Sequence, residues 1–202
     1  MQAHAAAWGV ALGSEALAQL DRFLERLLLW SRTTRLTGER DVRAIVRKHV
    51  IDSIAPAPYL PARGLLVDIG SGAGFPGIVL ACLRPDLATV LVESRRRRAS
   101  FLREAARSVP LPLVTVVERR AEELTRRDAA AVVARALRID AFLPLAARLL
   151  APGGHVLAMQ TPRAERAGLE ATAVAAGLSL VGVHDYVLPG GERRRLLRFA
   201  RS

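Results

Sequence analysis

The feature that most constrains the fold is a glycine-rich segment, VDIGSGAGFPGIVLA, at residues 67–81. An apolar run contains Asp68 near its end, four glycines follow within eight residues, and the chain then becomes apolar again. This order predicts a β-strand, a tight loop and the start of a helix. Glycine tolerates positive φ angles and lets a ligand approach the backbone closely. The segment therefore predicts an α/β fold with a ligand site at this loop.

Apolar segments of strand and helix length alternate along the rest of the chain. The predicted strands are 64–69, 88–93, 112–117, 130–134, 154–159, 178–187 and 194–200. The predicted helices between them are 76–83, 95–108, 139–150 and 163–176. Strands separated by helices of this length form parallel βαβ units with helices on both faces of the sheet. Only a short loop with Pro189, Gly190 and Gly191 separates the last two strands, which predicts a C-terminal antiparallel hairpin.

The N-terminal part lacks this alternation and has helical periodicity instead. Leucines recur at helical spacing in 14–30, with Ser14 as the predicted N-cap, and apolar residues share one face of 40–54. Three prolines then mark a linker. We therefore predict an N-terminal helical cap at 1–60 and a ligand-binding domain at 61–202.

The charge of the chain restricts its partners. The formal net charge is +11 and the isoelectric point is about 11.4, nearly all of it from arginine, since Lys48 is the only lysine. Such an excess favours a polyanion, with nucleic acid as the main candidate. The single cysteine, Cys82, excludes an internal disulfide and a cysteine-based metal site, and we expect no metal. Apolar runs fall short of a membrane span and no signal peptide is evident, so we expect a cytoplasmic protein, a monomer, away from membranes.

Two cofactors are compatible with the glycine-rich segment. Its GxGxxG pattern, with Glu93 about twenty residues beyond the loop, is also the dinucleotide fingerprint, and both readings use Glu93 for ribose hydroxyl groups. Asp68 suits a cofactor with an amino group and a sulfonium charge better than a diphosphate, and Phe75 and Pro76 add bulk where a diphosphate would lie. S-adenosylmethionine (SAM) is therefore favoured over NAD.

Seven segments of the chain resemble the RsmG family, also called glucose-inhibited division protein B. They are LLLWSRTTRLT at 27–37, HVIDS at 49–53, VDIGSGAGFPGIVLA at 67–81, ESRRRRASFL at 93–102, ERRAEEL at 118–124, VARA at 133–136 and LPGGERRRLLRF at 188–199. The resemblance runs from about residue 20 to the end. It implies a class I (Rossmann-like) SAM-dependent methyltransferase that acts on nitrogen-7 of one guanine in the 530 loop of 16S rRNA. The implied partner is 16S rRNA or a precursor of the small ribosomal subunit.

The resemblance also implies roles for single residues. Gly70 and Phe75 match positions that contact SAM, and Ala121 and Glu122 match the pair that holds the adenine. Arg135 matches an arginine of the cofactor site and lies where substrate enters, which makes it a candidate at the reaction centre.

Other candidates follow from the residues themselves. Gly72 belongs to the ligand-approached face of the loop, Glu93 is placed to accept the ribose hydroxyls, and Asp68 is either a structural cap of the loop or a water-mediated partner of the amino group. For His49 and Asp52 in HVIDS, packing or capping roles are at least as plausible as catalysis. The resemblance leads us to expect that this segment closes over the cofactor side.

Two arginine runs are candidates for RNA contact: Arg95, Arg96, Arg97 and Arg98, and then Arg193, Arg194 and Arg195. The first run opens a predicted helix, where positive side chains are electrostatically unfavourable. That cost indicates a gain elsewhere, for which RNA phosphates are the natural source. The alternative is an ordinary solvated face.

The predicted reaction needs little acid–base chemistry, because nitrogen-7 of guanine already presents a lone pair. The fourth strand ends in VARA and lacks the Asn/Asp-Pro-Pro-aromatic tetrad of exocyclic-amine methyltransferases, which supports a ring nitrogen as acceptor. The chain departs from the family pattern at Ser31, Thr34, Arg35 and Gln160, the last replacing a common lysine.

Two rival functions remain open. An NAD-dependent oxidoreductase lacks an evident Tyr-Lys pair. A non-enzymatic RNA-binding protein would not need an intact loop with Glu93 and Glu122.

Overall fold

The protein is described by a computed structural model that covers residues 1–162 and 166–201. Seven strands form one sheet: β1 Leu65–Ile69, β2 Ala88–Val92, β3 Val114–Val117, β4 Ala129–Arg135, β5 Leu150–Gln160, β6 Leu178–Val187 and β7 Arg193–Arg201. Their order across the sheet is β3-β2-β1-β4-β5-β7-β6. Strands β3 to β5 in this order are all parallel, whereas β7 runs antiparallel to both β5 and β6. The mostly parallel sheet and its C-terminal antiparallel hairpin are therefore confirmed.

The helices lie between the strands and in the N-terminal segment. They are α1 Gln2–Ala7, α2 Ser14–Ser31, α3 Val42–Ile45, α4 Ile51–Ile54, α5 Gly77–Leu83, α6 Arg96–Ser108, α7 Ile139–Leu149 and α8 Arg166–Ala175. A π-helical stretch, Val46–Val50, joins α3 to α4, and two 3-10 turns cover Ala57–Tyr59 and Ala121–Glu123.

The helices differ from the sequence-based prediction in several places. Helix α1 was missed, because its six residues are too few to show a period. Gly13 is the N-cap of α2, so Ser14 is its first helical residue and its side chain makes no capping bond. The helix predicted to end at residue 150 ends at Leu149, because Leu150 already pairs with Ala129 on β4. For the last predicted helix, residues 163–165 lie outside the described residues.

The two faces of the sheet carry separate hydrophobic clusters. Along β4, Ala131 and Val133 belong to a cluster with Leu80 of α5, while Val132 belongs to a cluster with Phe142 of α7. This alternation follows from the period of two along a strand. Helices therefore cover both faces, as predicted.

The N-terminal helices share a core with the rest of the chain. Phe23 of α2 lies in one buried cluster with Ile78 of α5 and Phe101 of α6, and its ring makes an edge contact with Phe75 at 5.3 Å. Helix α2 thus packs directly on the loop between β1 and α5. The division at residue 60 stays a prediction.

Candidate active site

The loop after β1, residues 70–76, is here called the glycine loop. Its first residues are tied to β2, because the amides of Gly70 and Ser71 donate to the carbonyl of Val92 at 2.9 and 3.1 Å. Gly72 has a φ of +57°, and a Cβ there would meet no heavy atom closer than 3.6 Å. The positive φ favours glycine at this turn, and a side chain there would contact the Gly70 carbonyl oxygen and the Arg98 guanidinium.

Glu93 follows the last residue of β2 and is 5% exposed. Its Oε2 accepts from the amide of Gly72 at 3.0 Å and its Oε1 from the amide of Arg95 at 2.8 Å. A carboxylate has about four lone-pair positions, so each oxygen can accept one further hydrogen bond. Glu93 therefore fixes the loop and can still bind hydroxyl groups of a ligand.

A cleft of about 240 Å³ lies at the carboxyl ends of the strands, and we call it the Glu93 cleft. Its lining includes Gly70, Glu93, Ala121, Glu122 and Leu137. The structure thus brings together four of the predicted cofactor residues from three separate strand ends.

The far wall of the Glu93 cleft is held by one arginine. Ala121 and Glu122 lie in the second 3-10 turn, where Arg148 of α7 donates to their carbonyl groups at 3.1 and 2.7 Å. Ala121 is buried, whereas the Glu122 side chain is exposed. This turn is therefore a fixed wall that presents the exposed carboxylate of Glu122 to the cleft.

Asp68 lies beneath the glycine loop and is fully buried. Its Oδ2 accepts from the amide of Gly77 at 3.0 Å, and a Cβ on Gly77 would lie only 2.5 Å from this oxygen. Burial raises the pKa of Asp68 to about 7, although the Gly77 amide acts in the opposite direction. The sequence left two roles open for Asp68, a structural cap of the loop or a water-mediated partner of the cofactor's amino group. The bond from the Gly77 amide is the contact that a cap would make. A carboxyl group also takes the position at the helix start that a diphosphate would use.

Phe75 does not line the Glu93 cleft. It is 3% exposed, its ring stacks on His49 at 5.2 Å, and the Arg135 guanidinium lies 5.2 Å from the ring centroid. The resemblance implies a cofactor contact for Phe75, but in this structure its ring supports the neighbouring residues His49 and Arg135.

A second, larger pocket of about 620 Å³ adjoins the cleft, and we call it the Arg135 pocket. Its lining includes His49, Asp52, Arg135, Gln160 and Arg194. Leu137 and Arg138 line both cavities, so the two meet there. His49 and Asp52 of the HVIDS segment therefore line this pocket. The sequence had led us to expect the segment over the cofactor side, but neither residue lines the Glu93 cleft.

The boundary between the two cavities is locally strained. Ala136 has a φ of +61°, a left-handed conformation that costs an L-residue about 1–2 kcal/mol. Next to it, Gln160 donates from Nε2 to the carbonyl of Leu137 at 2.8 Å. Gln160 thus fixes the wall that the two cavities share.

Sequence reasoning missed the ion-pair centre of the Arg135 pocket. Asp52 is 2% exposed and lies 3.3 Å from Arg135 and 3.8 Å from Arg194, and it accepts from the hydroxyl of Tyr186 at 2.7 Å. Burial is the main cause that raises the pKa of Tyr186. HVIDS marked Asp52 in the sequence, but partners on β4, β6 and β7 could not be inferred from it.

His49 is electrically neutral at neutral pH. Burial, assisted by the charge of Arg135, lowers the pKa of His49 to about 4. Neither of its ring nitrogens has a hydrogen-bond partner in the described part of the chain. The ring can therefore donate or accept, but it adds no charge to the pocket.

The first arginine run lies at the start of α6. Arg95, Arg96 and Arg97 are exposed, and within residues 1–162 and 166–201 none of them has an ion-pair partner. Arg98 is half-buried, and its guanidinium lies 3.7 Å from where a Cβ of Gly72 would stand. The run therefore offers three side chains to RNA, while Arg98 lies against the loop.

The second run does not form one surface, because successive residues of a strand face opposite sides. Arg194 points to Asp52 in the Arg135 pocket, whereas Arg195 pairs with Asp185 at 2.6 Å. Arg193 is exposed. Arg193 and Arg195 therefore share one side of β7, and Arg194 lies on the other side, in the Arg135 pocket.

Among the described residues, no group of three His, Cys, Asp or Glu side chains could hold a metal ion. No described helix has the length and apolarity needed to cross a membrane.

The strand order, the loop after β1, the acid after β2 and the cavities at the strand ends define a class I methyltransferase fold. Solved structures with this fold include magnesium protoporphyrin IX methyltransferase from Synechocystis PCC 6803, with a TM-score of 0.69 and 16% identity, covering 95% of this chain and 99% of that one. Precorrin-6y C5,15-methyltransferase from Geobacter metallireducens GS-15 has a TM-score of 0.57 and 15% identity, covering 84% and 92%.

Sequence comparison identifies the family. The chain matches GidB, described as rRNA small subunit methyltransferase G, over residues 16–195. It is 40% identical over 187 residues to ribosomal RNA small subunit methyltransferase G of Anaeromyxobacter dehalogenans strain 2CP-1, covering 91% of this chain and 87% of that protein. The protein of the same name from Xanthomonas oryzae pv. oryzae strain KACC10331 is 42% identical over 182 residues, covering 87% and 83%. The chain belongs to the GidB family of rRNA small subunit methyltransferases.

Proposed function

We propose that this protein transfers a methyl group from SAM to nitrogen-7 of a guanine in the 530 loop of 16S rRNA. Membership of the GidB family supports the reaction class and the rRNA of the small subunit. The observation that carries the proposal is that the Glu93 cleft and the Arg135 pocket meet at Leu137 and Arg138. A cofactor in the first cavity then adjoins a base in the second.

The residues of the Glu93 cleft fit the adenosine part of SAM. Glu93 has one free lone-pair position on each oxygen for the ribose hydroxyls, and the wall of Ala121 and Glu122 suits the adenine. Gly70 lines the cleft with its backbone, and Gly72 holds Glu93 through its amide. When bound, SAM supplies a methyl group activated by its sulfonium charge. NAD fits less well, because Asp68 already caps the helix start.

The chemical step depends on positioning. Nitrogen-7 of guanine needs no deprotonation before attack, because its lone pair is exposed in the major groove. His49 is neutral and Arg135 is a cation, so the pocket can orient a guanine without a general base. Orientation of two reactants can supply several kcal/mol of the barrier, on the order of 7–11 in favourable cases. The protein therefore acts mainly by holding the guanine in line with the methyl group.

The net charge of +11 supports binding of the RNA. Arg95, Arg96 and Arg97 contribute exposed positive charge beside the Glu93 cleft, where they can contact phosphates. We propose 16S rRNA or a precursor of the small subunit as the substrate, and a monomer acting in the cytoplasm. Light scattering at several protein concentrations tests the oligomeric state.

One assay tests the proposed function. Small ribosomal subunits from a strain that lacks the gene are incubated with the purified protein and methyl-labelled SAM, and the modified nucleotide is mapped by mass spectrometry. The expected product is a single 7-methylguanine in the 530 loop. Label at another nucleotide would overturn the proposed target. RNA binding without any transfer of label would favour the non-enzymatic alternative, and calorimetric binding of NAD but not SAM would favour the oxidoreductase.

A further inference from the structure

We infer that Asp52 is a positioning residue: it holds the guanidinium groups of Arg135 and Arg194 together in the pocket that receives the RNA. This inference rests on the proposed function and deepens it. The contacts of one buried carboxylate carry it, and those contacts join three parts of the chain that are distant in sequence.

The geometry gathers two cations around one anion. Asp52 Oδ2 lies 3.3 Å from Nη1 of Arg135 and 3.8 Å from Nε of Arg194, while Oδ1 accepts from Tyr186. The Asp52 side chain is 3% exposed, whereas those of Arg135 and Arg194 are 20% and 25% exposed. The carboxylate is therefore inside the protein, and both guanidinium groups remain within reach of a ligand.

The charges of this cluster explain why the carboxylate matters. One Asp and two Arg side chains carry a net charge of +1, which still attracts an RNA phosphate or the electronegative edge of guanine. Without the carboxylate the two guanidinium groups would repel each other in a partly buried site, where removal of one partner of an ion pair is strongly unfavourable. Asp52 thereby lets the pocket keep two arginines in its wall at fixed positions.

The packing of Arg135 makes its position sensitive to Asp52. The Arg135 guanidinium also lies over the ring of Phe75, which in turn stacks on His49. These ring contacts restrict the side chain from one side, and Asp52 restricts it from the other. Arg194 has no ring contact of this kind in the part of the chain that the structure describes, so its position depends more on the carboxylate.

The Glu93 cleft does not share this network. Glu93 is held by the amides of Gly72 and Arg95, and neither contact involves Asp52. A change at Asp52 should therefore alter the use of RNA and leave SAM affinity nearly unchanged. A merely structural carboxylate would affect both.

The test compares three variants by methyl transfer to unmodified small subunits, by SAM calorimetry and by thermal unfolding. Asp52→Asn keeps the shape and an acceptor for Tyr186 but removes the charge. We expect kcat/KM for the subunits to fall by about tenfold or more, with a higher KM. The dissociation constant of SAM should stay within about twofold of the parent value. Asp52→Glu restores the charge and should recover part of the loss.

The matched control is Asp128→Asn. It breaks another Asp–Arg pair, with Arg126 at 2.8 Å, which lines neither cavity, and should leave kcat/KM and SAM binding near the parent values. Parent-like kinetics of Asp52→Asn would overturn the inference. So would an equal loss of SAM affinity and RNA use together with a lower unfolding temperature, because that pattern marks a structural role.

The proposed function and this inference can fail separately. If the parent transfers no methyl group, the proposed function fails. Filter binding of small-subunit RNA by the parent and Asp52→Asn then decides the inference: weaker RNA binding with unchanged SAM binding supports it, and equal RNA binding overturns it.

Discussion

The Glu93 cleft and the Arg135 pocket adjoin each other but are built in different ways. The cleft uses residues that directly follow β1, β2 and β3, and its contacts run mainly from side chains to backbone amides and carbonyls. The pocket joins α4, the end of β4 and β7 through side-chain ion pairs. A motif local in sequence thus builds the proposed cofactor region, whereas the proposed substrate region depends on tertiary packing.

The difference predicts separable effects of mutation. Changes in the cleft should act on SAM affinity, and changes in the pocket or on the arginine surface should act on RNA. A variant that lowers SAM affinity and RNA binding equally would contradict this separation of the two regions.

The largest effect is expected for Gly72→Val. The φ of +57° disfavours a branched residue, and the new side chain would press on the Gly70 carbonyl and on Arg98. Gly72 does not itself line the Glu93 cleft, but its amide holds Glu93, so a distorted loop would displace that carboxylate. We expect SAM affinity to fall by about 100-fold or more, which is roughly 3 kcal/mol. Isothermal titration calorimetry measures this loss.

Gly153→Val is the matched control for backbone strain. Gly153 has a φ of +73° and no heavy atom within 4 Å of a built Cβ, and it does not line the cleft. This variant should lose stability while binding SAM normally. Parent-like SAM binding by Gly72→Val would remove the glycine loop from the cofactor site.

A smaller effect on SAM is expected for Glu93→Gln. The change keeps the shape but removes the charge that accepts hydroxyl groups, so the loss should be about 1.5–3 kcal/mol. Glu118→Gln, which breaks a surface pair with Arg103, serves as the control and should bind SAM as the parent does. An unchanged dissociation constant for Glu93→Gln would place the ribose contact elsewhere.

The exposed arginines of α6 should affect RNA alone. Replacement of Arg95, Arg96 and Arg97 by Gln removes up to three phosphate contacts, each of which contributes about 0.7–0.9 to the slope of log affinity against log salt. The slope should therefore flatten by about 2–3 units when all three contact phosphates. Arg98 is left in place because it lies against the glycine loop. RNA binding at several salt concentrations tests this, and an unaltered slope would make the run a solvated face.

The smallest effect concerns the strain at the boundary of the pocket. Ala136→Gly should relieve the left-handed conformation and raise the free energy of unfolding by about 0.5–1 kcal/mol, after the entropic cost of glycine. Ala134→Gly, two residues earlier in regular β4, should lower it instead. Chemical denaturation measures both. If both variants lowered the free energy of unfolding equally, the left-handed conformation of Ala136 would not measurably destabilise the protein.

Sequence reasoning located the strands, the glycine loop and Glu93 because each depends on local order, and parallel strands bring their ends to one edge. Gly70, Ala121 and Glu122 were named only because they match positions of the family that the chain resembles. Helix α1 and the early start of β5 were missed, because the first is very short and the second depends on pairing with β4.

The Arg135 pocket was only partly predictable for a physical reason. Arg135 was named because it matches a family position, and Arg194 because it belongs to the second arginine run. Their shared partner, Asp52, is distant from both along the chain. Strand alternation places Arg194 and Arg195 on opposite sides, but which of them faces the pocket depends on register. Such information is absent from one sequence.

The most direct test of these two regions is a crystal structure of the protein with S-adenosylhomocysteine. We predict adenosine in the Glu93 cleft, with its ribose hydroxyls bound to Glu93, its adenine against Ala121 and Glu122, and its sulfur facing the Arg135 pocket at Leu137. A ligand found in the Arg135 pocket, with Glu93 making no contact to it, would contradict the account.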